Sequence, residues 1–357
     1  MDDSFLLYGA NGYTGRLIAR YAAEYNLTPI LAGRTRESIE TMARELNLPY
    51  RVINLDKEDE LVAVLKEVKL VLHAAGPFHY TARQMADACI KTGTHYLDIN
   101  GDISVFEMLK KYDKAAAAAG IMIMPGVGFD VVPTDCIALQ LKNKMPDAIK
   151  LQLAFATIGG SLSHGTATTI AAKMGEGGAI RKAGKIKKAV IGASGMTVNF
   201  FRGYNKKEIP IFVMSIPWGD ISTAHFTTGI PNIETYTGVS KKTWYFLKTQ
   251  FLFNWLLRKK GVRNFLKKKI NALPAGPSDE QRYKATGMVW GRATNAAGKT
   301  ATIMLCGPEG YTITVHASLI IIKKVLNGNF KTGYQTPANV YGPNLIAEVP
   351  GVVIKND

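Results

Sequence analysis

Gly9-Ala10-Asn11-Gly12-Tyr13-Thr14-Gly15 is the stretch on which the fold of this chain turns. Its three glycines recur at every third position. An apolar run, Phe5-Leu6-Leu7-Tyr8, precedes it, and Leu17, Ile18, Tyr21, Ala22 and Tyr25 follow at helical spacing. Strand, glycine turn and helix start, in that order, are what a dinucleotide pyrophosphate requires. Gly9 permits the tight turn, Gly12 removes a Cβ where phosphates approach, and Gly15 brings the helix close to the strand. Ala10, Asn11, Tyr13 and Thr14 complete the loop, and the free N–H groups of the helix N-terminus face the anion.

Outward from this loop, short apolar segments alternate with helical patterns. Strands are expected at 4–8, 29–32, 50–55, 69–74, 95–99 and 121–125, rich in Val, Ile and Leu as parallel strands covered on both faces are. Helical patterns include Thr81–Lys91 and Val105–Ala119. The fold class is α/β, with an N-terminal doubly wound parallel sheet over residues 1–135. After Pro133 the character changes. Ile149–Ile158, Ile209–Ile216, Tyr283–Thr294 and Thr300–Cys306 read as strands, the last two joined by the turn Asn295-Ala296-Ala297-Gly298. They follow one another without a helix between each pair. Residues 136–328 are therefore expected to form a second, α+β domain on a mostly antiparallel sheet, ending in a helix over Tyr311–Leu326. Residues 329–357 form a C-terminal segment.

The end of the second strand selects the nucleotide. A chain that binds NAD usually places Asp or Glu there to hold the ribose 2′-hydroxyl. Here the strand ends in Gly33-Arg34-Thr35-Arg36. A 2′-phosphate repels a carboxylate and attracts a guanidinium, so NADP(H) is expected, on Arg34 with Arg36 as second candidate. Asp56, after the third strand, lies near the adenine or caps the helix beginning near Glu58. Ala75-Gly76-Pro77 follows the fourth strand beside the reversal of strand order, where ligands bind in such sheets. Gly101, in Asp98-Ile99-Asn100-Gly101-Asp102, and the segment Pro125–Asp135 end the next two strands at the same edge.

The chain has 357 residues, 47% hydrophobic and 20% charged, in the range of soluble globular proteins. The start, Met-Asp-Asp, has no basic leader region, and no stretch of 18 apolar residues exists. Cys89, Cys136 and Cys306 form no CxxC pair and read as reduced, buried packing residues of a cytoplasmic protein. The six histidines form no metal-ligand pattern, so no metal is expected. The formal net charge of +16 is the outlier and implies attraction to something acidic.

Five motifs, GANGYTG, LAGR, AAGPF, GTHYLDINGD and PGVGFDVVPTD, in this order and spacing, resemble the saccharopine dehydrogenase-like oxidoreductases. The similarity is nearest to the trans-acting enoyl reductase subgroup. The segment Thr332–Ala338 resembles that group's terminal Thr-Pro-Ala. The likeness is strong over 1–140, weaker over 141–300, and returns over 301–340. It implies an NADP-dependent oxidoreductase with a Rossmann domain, an α+β domain, and a C-terminal segment packing back near the first domain. Two departures bear on the substrate. The family's usual Gly-Glu is Gly101-Asp102 here, and the middle of the chain carries an extended basic and aromatic stretch.

Short-chain dehydrogenases pair a Tyr with a Lys four positions later, and no Tyr of this chain has one. For proton transfer the candidates are Tyr80, then His79, both just past the AAGPF edge, with helix-start positions as the plain alternative. Asp130 orients substrate or caps the next helix, and His164 ranks below Tyr80. Residues 243–269 mix Trp244, Phe246, Phe251 and Trp255 with Arg258, Lys259, Lys260, Arg263 and Lys267–Lys269. Three readings stand: a core helix followed by a solvated one, a helix at an anionic membrane surface, or a docking site for an acidic carrier protein. Nucleic acid fits less well, because large apolar residues interrupt the charge. The function expected is NADPH-dependent reduction of a C=C or C=O in a hydrophobic or acyl-type substrate. The alternatives are a saccharopine-type amino-acid dehydrogenase, for which Arg181 and Arg202 are available to substrate carboxylates, and a non-catalytic NADP-binding sensor or membrane-associated protein.

Overall fold

A computed structural model describes residues 4–173, 177–249, 252, 254–257, 259, 261–262, 269, 272 and 274–356. The chain divides into two compact units, Met1–Val132 with Tyr311–Tyr341, and Pro133–Gly310 with Gly342–Asp357.

The first unit is built on a seven-stranded sheet. Its strands are β1 (Ser4–Tyr8), β2 (Thr28–Gly33), β3 (Tyr50–Val52), β4 (Leu70–His73), β5 (His95–Asp98), β6 (Met122–Met124) and β15 (Gly333–Tyr334). They run in the order β15-β6-β5-β4-β1-β2-β3, every pair parallel. The order reverses between β1 and β4, as a doubly wound sheet requires. Phe5, Leu6, Leu7, Leu70, Val71 and Leu72 are wholly buried, which is why these strands read as unbroken apolar runs. The crossovers are α1 (Tyr13–Tyr21), α2 (Arg36–Leu46), α3 (Glu58–Leu65), α4 (Phe78–Thr92), α5 (Ile103–Leu109) and α6 (Asp113–Ala118). The helical pattern over Val105–Ala119 is thus two helices, separated by a 3-10 turn at Lys110–Tyr112. The break places Asp113 at the start of α6, where its carboxylate accepts from Tyr334 N–H at 2.8 Å and ties α6 to β15.

The second unit holds a nine-stranded sheet. Its path is β10 (Gly195–Phe200), β11 (Ile209–Ile216), β12 (Asn232–Gly238), β7 (Ala148–Ile158), β13 (Thr286–Asn295), β14 (Thr300–Pro308) and β16 (Val353–Asn356). The hairpin β8 (Gly178–Lys182) and β9 (Lys185–Ala189) joins at β12. Among the described residues β12 and β7 pair in parallel and the other pairs of this sheet are antiparallel. Asn295 to Gly298 turns β13 into β14, with Gly298 at φ +77. Phe200, Tyr236, Trp290 and Met304 lie in one apolar core on this sheet. Helix α7 (Val132–Lys144) begins with Pro133 in its first turn and packs at Gly291, where a Cβ would meet Ile137 at 2.4 Å. The remaining helices are α8 (His164–Lys173), α9 (Asp220–Thr228), α10 (Lys241–Lys248), α11 (Asn254–Leu257) and α12 (Asp279–Lys284) in this unit, and α13 (Gly310–Leu326) and α14 (Pro337–Tyr341). Tyr283 is in α12 rather than at the start of β13, because Ser278 and Gln281 close a capping box that nucleates a helix there. No helix among the described residues is long and apolar enough to cross a membrane.

The unit boundaries differ from those read in the sequence. Tyr311–Tyr341 joins the first unit instead of the 136–328 domain, because α13 packs by Thr314 on the Gly128 loop and β15 extends the parallel sheet. Gly342–Asp357 joins the second unit instead, because β16 pairs with β14.

Candidate nucleotide-binding site

The glycine loop and the turn after β4 touch. Gly9 has φ +86, and a Cβ on it would lie 2.7 Å from Ala75 N. A Cβ on Gly15 would lie 2.4 Å from Gly9 O, so α1 sits directly on the loop. Gly12 is different: a Cβ there would meet only Gly9 O, at 3.2 Å. Gly12 is also the N-cap of α1, with no side-chain hydrogen bond capping the helix. The loop therefore sets a glycine with a single close neighbour beside an uncapped helix N-terminus, which is the cradle a pyrophosphate fits. Ala10 is buried and its N–H donates to Ala32 O at 3.2 Å. Asn11 is exposed and donates to Ser38 Oγ at 3.1 Å, so its side chain points to the β2 end. Tyr13 stacks edge-on against Tyr311 at 5.0 Å, and Thr14 is half-buried beside it.

At the end of β2, Arg34 is exposed, with no hydrogen bond or ion pair among the described residues. Arg36 is committed: Nη1 pairs with Glu40 Oε1 at 2.8 Å, and Glu40 also accepts from Tyr50. Arg34 is thus the guanidinium available to an anion. Tyr8 marks the neighbourhood. Burial raises its phenol pKa, the Arg34 charge lowers it and the Asp56 charge raises it, so both charges reach one ring. Asp56 does not cap α3. Lys57 is the N-cap there, without a side-chain bond, while Asp56 accepts from Gln84 Nε2 at 3.3 Å.

The β4 edge holds Ala75, Gly76 and Pro77, all at least partly exposed. Beneath them lies His73, a residue the sequence did not single out as a site. Its Nε2 is 2.9 Å from Thr81 Oγ1, and Thr81 Oγ1 donates to Ala75 O at 2.9 Å. The hydroxyl has one proton, so Nε2–H is the donor to it and Nδ1 is a buried lone pair without a partner. Burial pushes the imidazole down to about 3 and holds it neutral. His79 and Tyr80 occupy the first turn of α4, both exposed, their rings 3.8 Å apart.

The ends of β5 and β6 are locked by Asp98, also unforeseen. Its buried carboxylate accepts from Tyr96 OH at 2.6 Å, Gly126 N at 2.8 Å and Asn100 N at 3.0 Å. Burial raises its pKa against these hydrogen bonds, which lower it. Gly101 lies against Asp130, where a Cβ would be 2.5 Å from Oδ2. Asp102 caps α5, accepting from Ser104 N at 2.9 Å. The shorter side chain at this position suits an N-cap, a role that a Glu fills poorly. The Gly128 loop is anchored by Thr314, whose hydroxyl accepts from Phe129 N at 3.0 Å.

Residues 5–124 match the saccharopine dehydrogenase NADP binding domain. The N-terminal domain is similar to that family over this stretch. It is an NADP-binding domain, as the glycine loop and the missing carboxylate imply, and the resemblance carried by the motifs is borne out. The saccharopine dehydrogenase-like oxidoreductase of Bos taurus is 28% identical over 173 residues, 43% of this chain and 40% of its own. The trans-acting enoyl reductase of Mycobacterium leprae is 31% identical over 148 residues, 39% of this chain and 35% of its own. The matched region therefore spans less than half of these relatives. A saccharopine dehydrogenase (L-Glu forming) structure from Saccharomyces cerevisiae has the same fold, with TM-score 0.65 and 13% identity over 99% of both chains.

In the second unit, Arg181 is buried and donates to Ile221 O and Gly184 O, both at 2.6 Å. It braces the backbone and is not available to a substrate carboxylate. His164 starts α8, its N–H donating to Ala275 O at 3.0 Å. Of the 243–269 stretch, Phe251, Arg258, Lys260, Arg263 and Lys267–Lys268 lie outside the described residues. Among the described residues no group of His, Cys, Asp and Glu is placed to hold a metal ion.

Proposed function

We propose that this protein is an NADPH-dependent oxidoreductase that reduces a C=C or C=O bond of a hydrophobic or acyl-type substrate. The observation that carries this is the pair formed by Gly12, at an uncapped helix N-terminus, and Arg34, exposed at the end of β2 with no hydrogen bond or ion pair among the described residues. NADPH, when bound, supplies the hydride. The chain's own residues hold and orient it. Gly9 to Gly15 receive the pyrophosphate, Arg34 takes the 2′-phosphate, and Asp56 stands at the adenine end. Ala75, Gly76, Pro77 and Gly101 offer a surface of small residues at the ends of β4 and β5. Tyr80 is the first candidate to deliver the proton and His79 the second, since both sit exposed in the turn after that surface. Asp130, held against Gly101, is placed to orient substrate. The saccharopine-type reading loses Arg181 as a carboxylate partner.

The test is twofold. Arg34→Ala is expected to weaken NADPH at least about tenfold while leaving NADH nearly unchanged, since one charge-assisted bidentate contact is worth that much. Equal loss for both nucleotides sinks the assignment of Arg34. NADPH consumption is then screened against enoyl and keto thioesters, aldehydes and keto acids. Tight NADPH binding with no turnover on any of them favours a non-catalytic sensor.

A further inference from the structure

Residues 177–278 hold 18 of the chain's 44 Lys and Arg but 3 of its 28 Asp and Glu. The rest of the chain is nearly balanced, so the excess positive charge is local. Seven of the lysines of this stretch that the structure describes lie on two elements of the second unit. The β8–β9 hairpin carries Lys182, Lys185, Lys187 and Lys188, and α10 carries Lys241, Lys242 and Lys248, all exposed. None of these seven makes an ion pair among the described residues. Helix α10 is seated on the turn that follows β9. Trp244 Nε1 donates to Gly192 O at 2.7 Å, and its ring packs on Phe212 at 5.0 Å.

The side of α10 away from Trp244 is apolar as well as basic. At about 3.6 residues per turn, Lys242, Tyr245 and Phe246 share one arc away from Trp244 and Leu247, while Lys241 Nζ lies 5.8 Å over the Phe212 ring. Tyr245 is 63% exposed and Phe246 71%. Leu252 and Trp255 continue the run, so four of the eleven exposed large hydrophobic residues among those described fall within 245–255. A solvated basic face has no need of exposed aromatics. A purely apolar partner would leave the lysines unmatched. A surface that is anionic outside and apolar beneath satisfies both, with lysine stems reaching outward and Tyr and Trp at headgroup depth. We infer that this face of the second unit docks on an anionic lipid surface. The inference is independent of the reaction.

Co-sedimentation with vesicles tests it, using phosphatidylcholine alone and phosphatidylcholine mixed with phosphatidylglycerol. The protein is expected to bind the mixed vesicles at low salt, to bind phosphatidylcholine alone far less, and to release as salt rises. Tyr245→Ser/Phe246→Ser leaves the charge unchanged and is expected to lower binding at least about tenfold. Lys241→Glu/Lys242→Glu is expected to lower it at least about tenfold also. Thermal melts and NADPH affinity equal to wild type show that each variant is folded. Three results overturn the inference: no binding to the mixed vesicles, wild-type binding by Tyr245→Ser/Phe246→Ser, or tighter binding to polyglutamate or heparin than to vesicles. The last would point to an acidic protein or a nucleic acid.

Discussion

Gly9, Gly12 and Gly15 look alike in sequence and have different neighbours in the structure. Gly9 combines φ +86 with backbone of the β4 turn at 2.7 Å, and Gly15 has Gly9 O at 2.4 Å. Gly12 has an ordinary φ of −70 and one close neighbour, Gly9 O at 3.2 Å from a Cβ placed there. Gly9→Ala should therefore unfold or markedly destabilise the unit, whereas Gly12→Ala should melt well above Gly9→Ala and weaken NADPH at least about tenfold. Parallel melts and cofactor titrations separate the two, and equal behaviour of both variants would refute the assignment of Gly12. These roles were legible because the spacing of the motif encodes them, and Arg34 because a carboxylate was missing beside it. His73 and Thr81 were not legible. Their hydrogen bond joins a strand end to a helix turn, and nothing in either residue type announces it. Asp56 was ambiguous for a related reason: the local sequence offers a helix to cap, and Gln84, far along the chain, holds the side chain instead.

At the scale of elements, the six strands before Pro133 could be read because strands covered on both faces must be apolar throughout. The helix over Val105–Ala119 could not be divided correctly, because Ala115–Ala119 propagates a helix well and the break serves Tyr334, 221 residues from Asp113. The same distance hides the anchor of the Gly128 loop. Thr314 on α13 accepts from Phe129 N–H across 185 residues, and its methyl fills the place a Cβ on Gly128 would take. Thr314→Val keeps the shape and removes the hydroxyl that accepts from Phe129 N–H. A loss of about 0.5–1.5 kcal/mol is expected in urea unfolding. A variant as stable as wild type would show that the loop is held by packing alone.

At the scale of the whole molecule, acid is the expected weakness. Burial pushes His73 down to about 3 and His95 down to about 4, and His95 Nδ1 accepts from Met122 N–H at 2.9 Å, which requires the neutral ring. Unfolded, both titrate near about 6.5. Between these values the unfolded chain binds more protons, so stability is full above about pH 6.5 and falls as pH drops below it, by about 1.4 kcal/mol per pH unit for each ring. Urea midpoints at pH 7 and pH 5 check this; an unchanged midpoint would mean that neither ring is held neutral. The division of the chain has a different consequence, for the order in which the protein is made. The first unit arrives in two instalments, 1–132 and then 311–341, with most of the second unit between them. On the ribosome β6 stays an open sheet edge, and the Gly128 loop lacks Thr314, until the late instalment emerges. A fragment of residues 1–132 should aggregate in sedimentation assays, and joining 311–341 to it by a linker should keep it in solution. A nascent chain therefore completes its nucleotide-binding unit only near the end of synthesis, so a prematurely stopped chain yields a sticky, unfinished sheet rather than a working half.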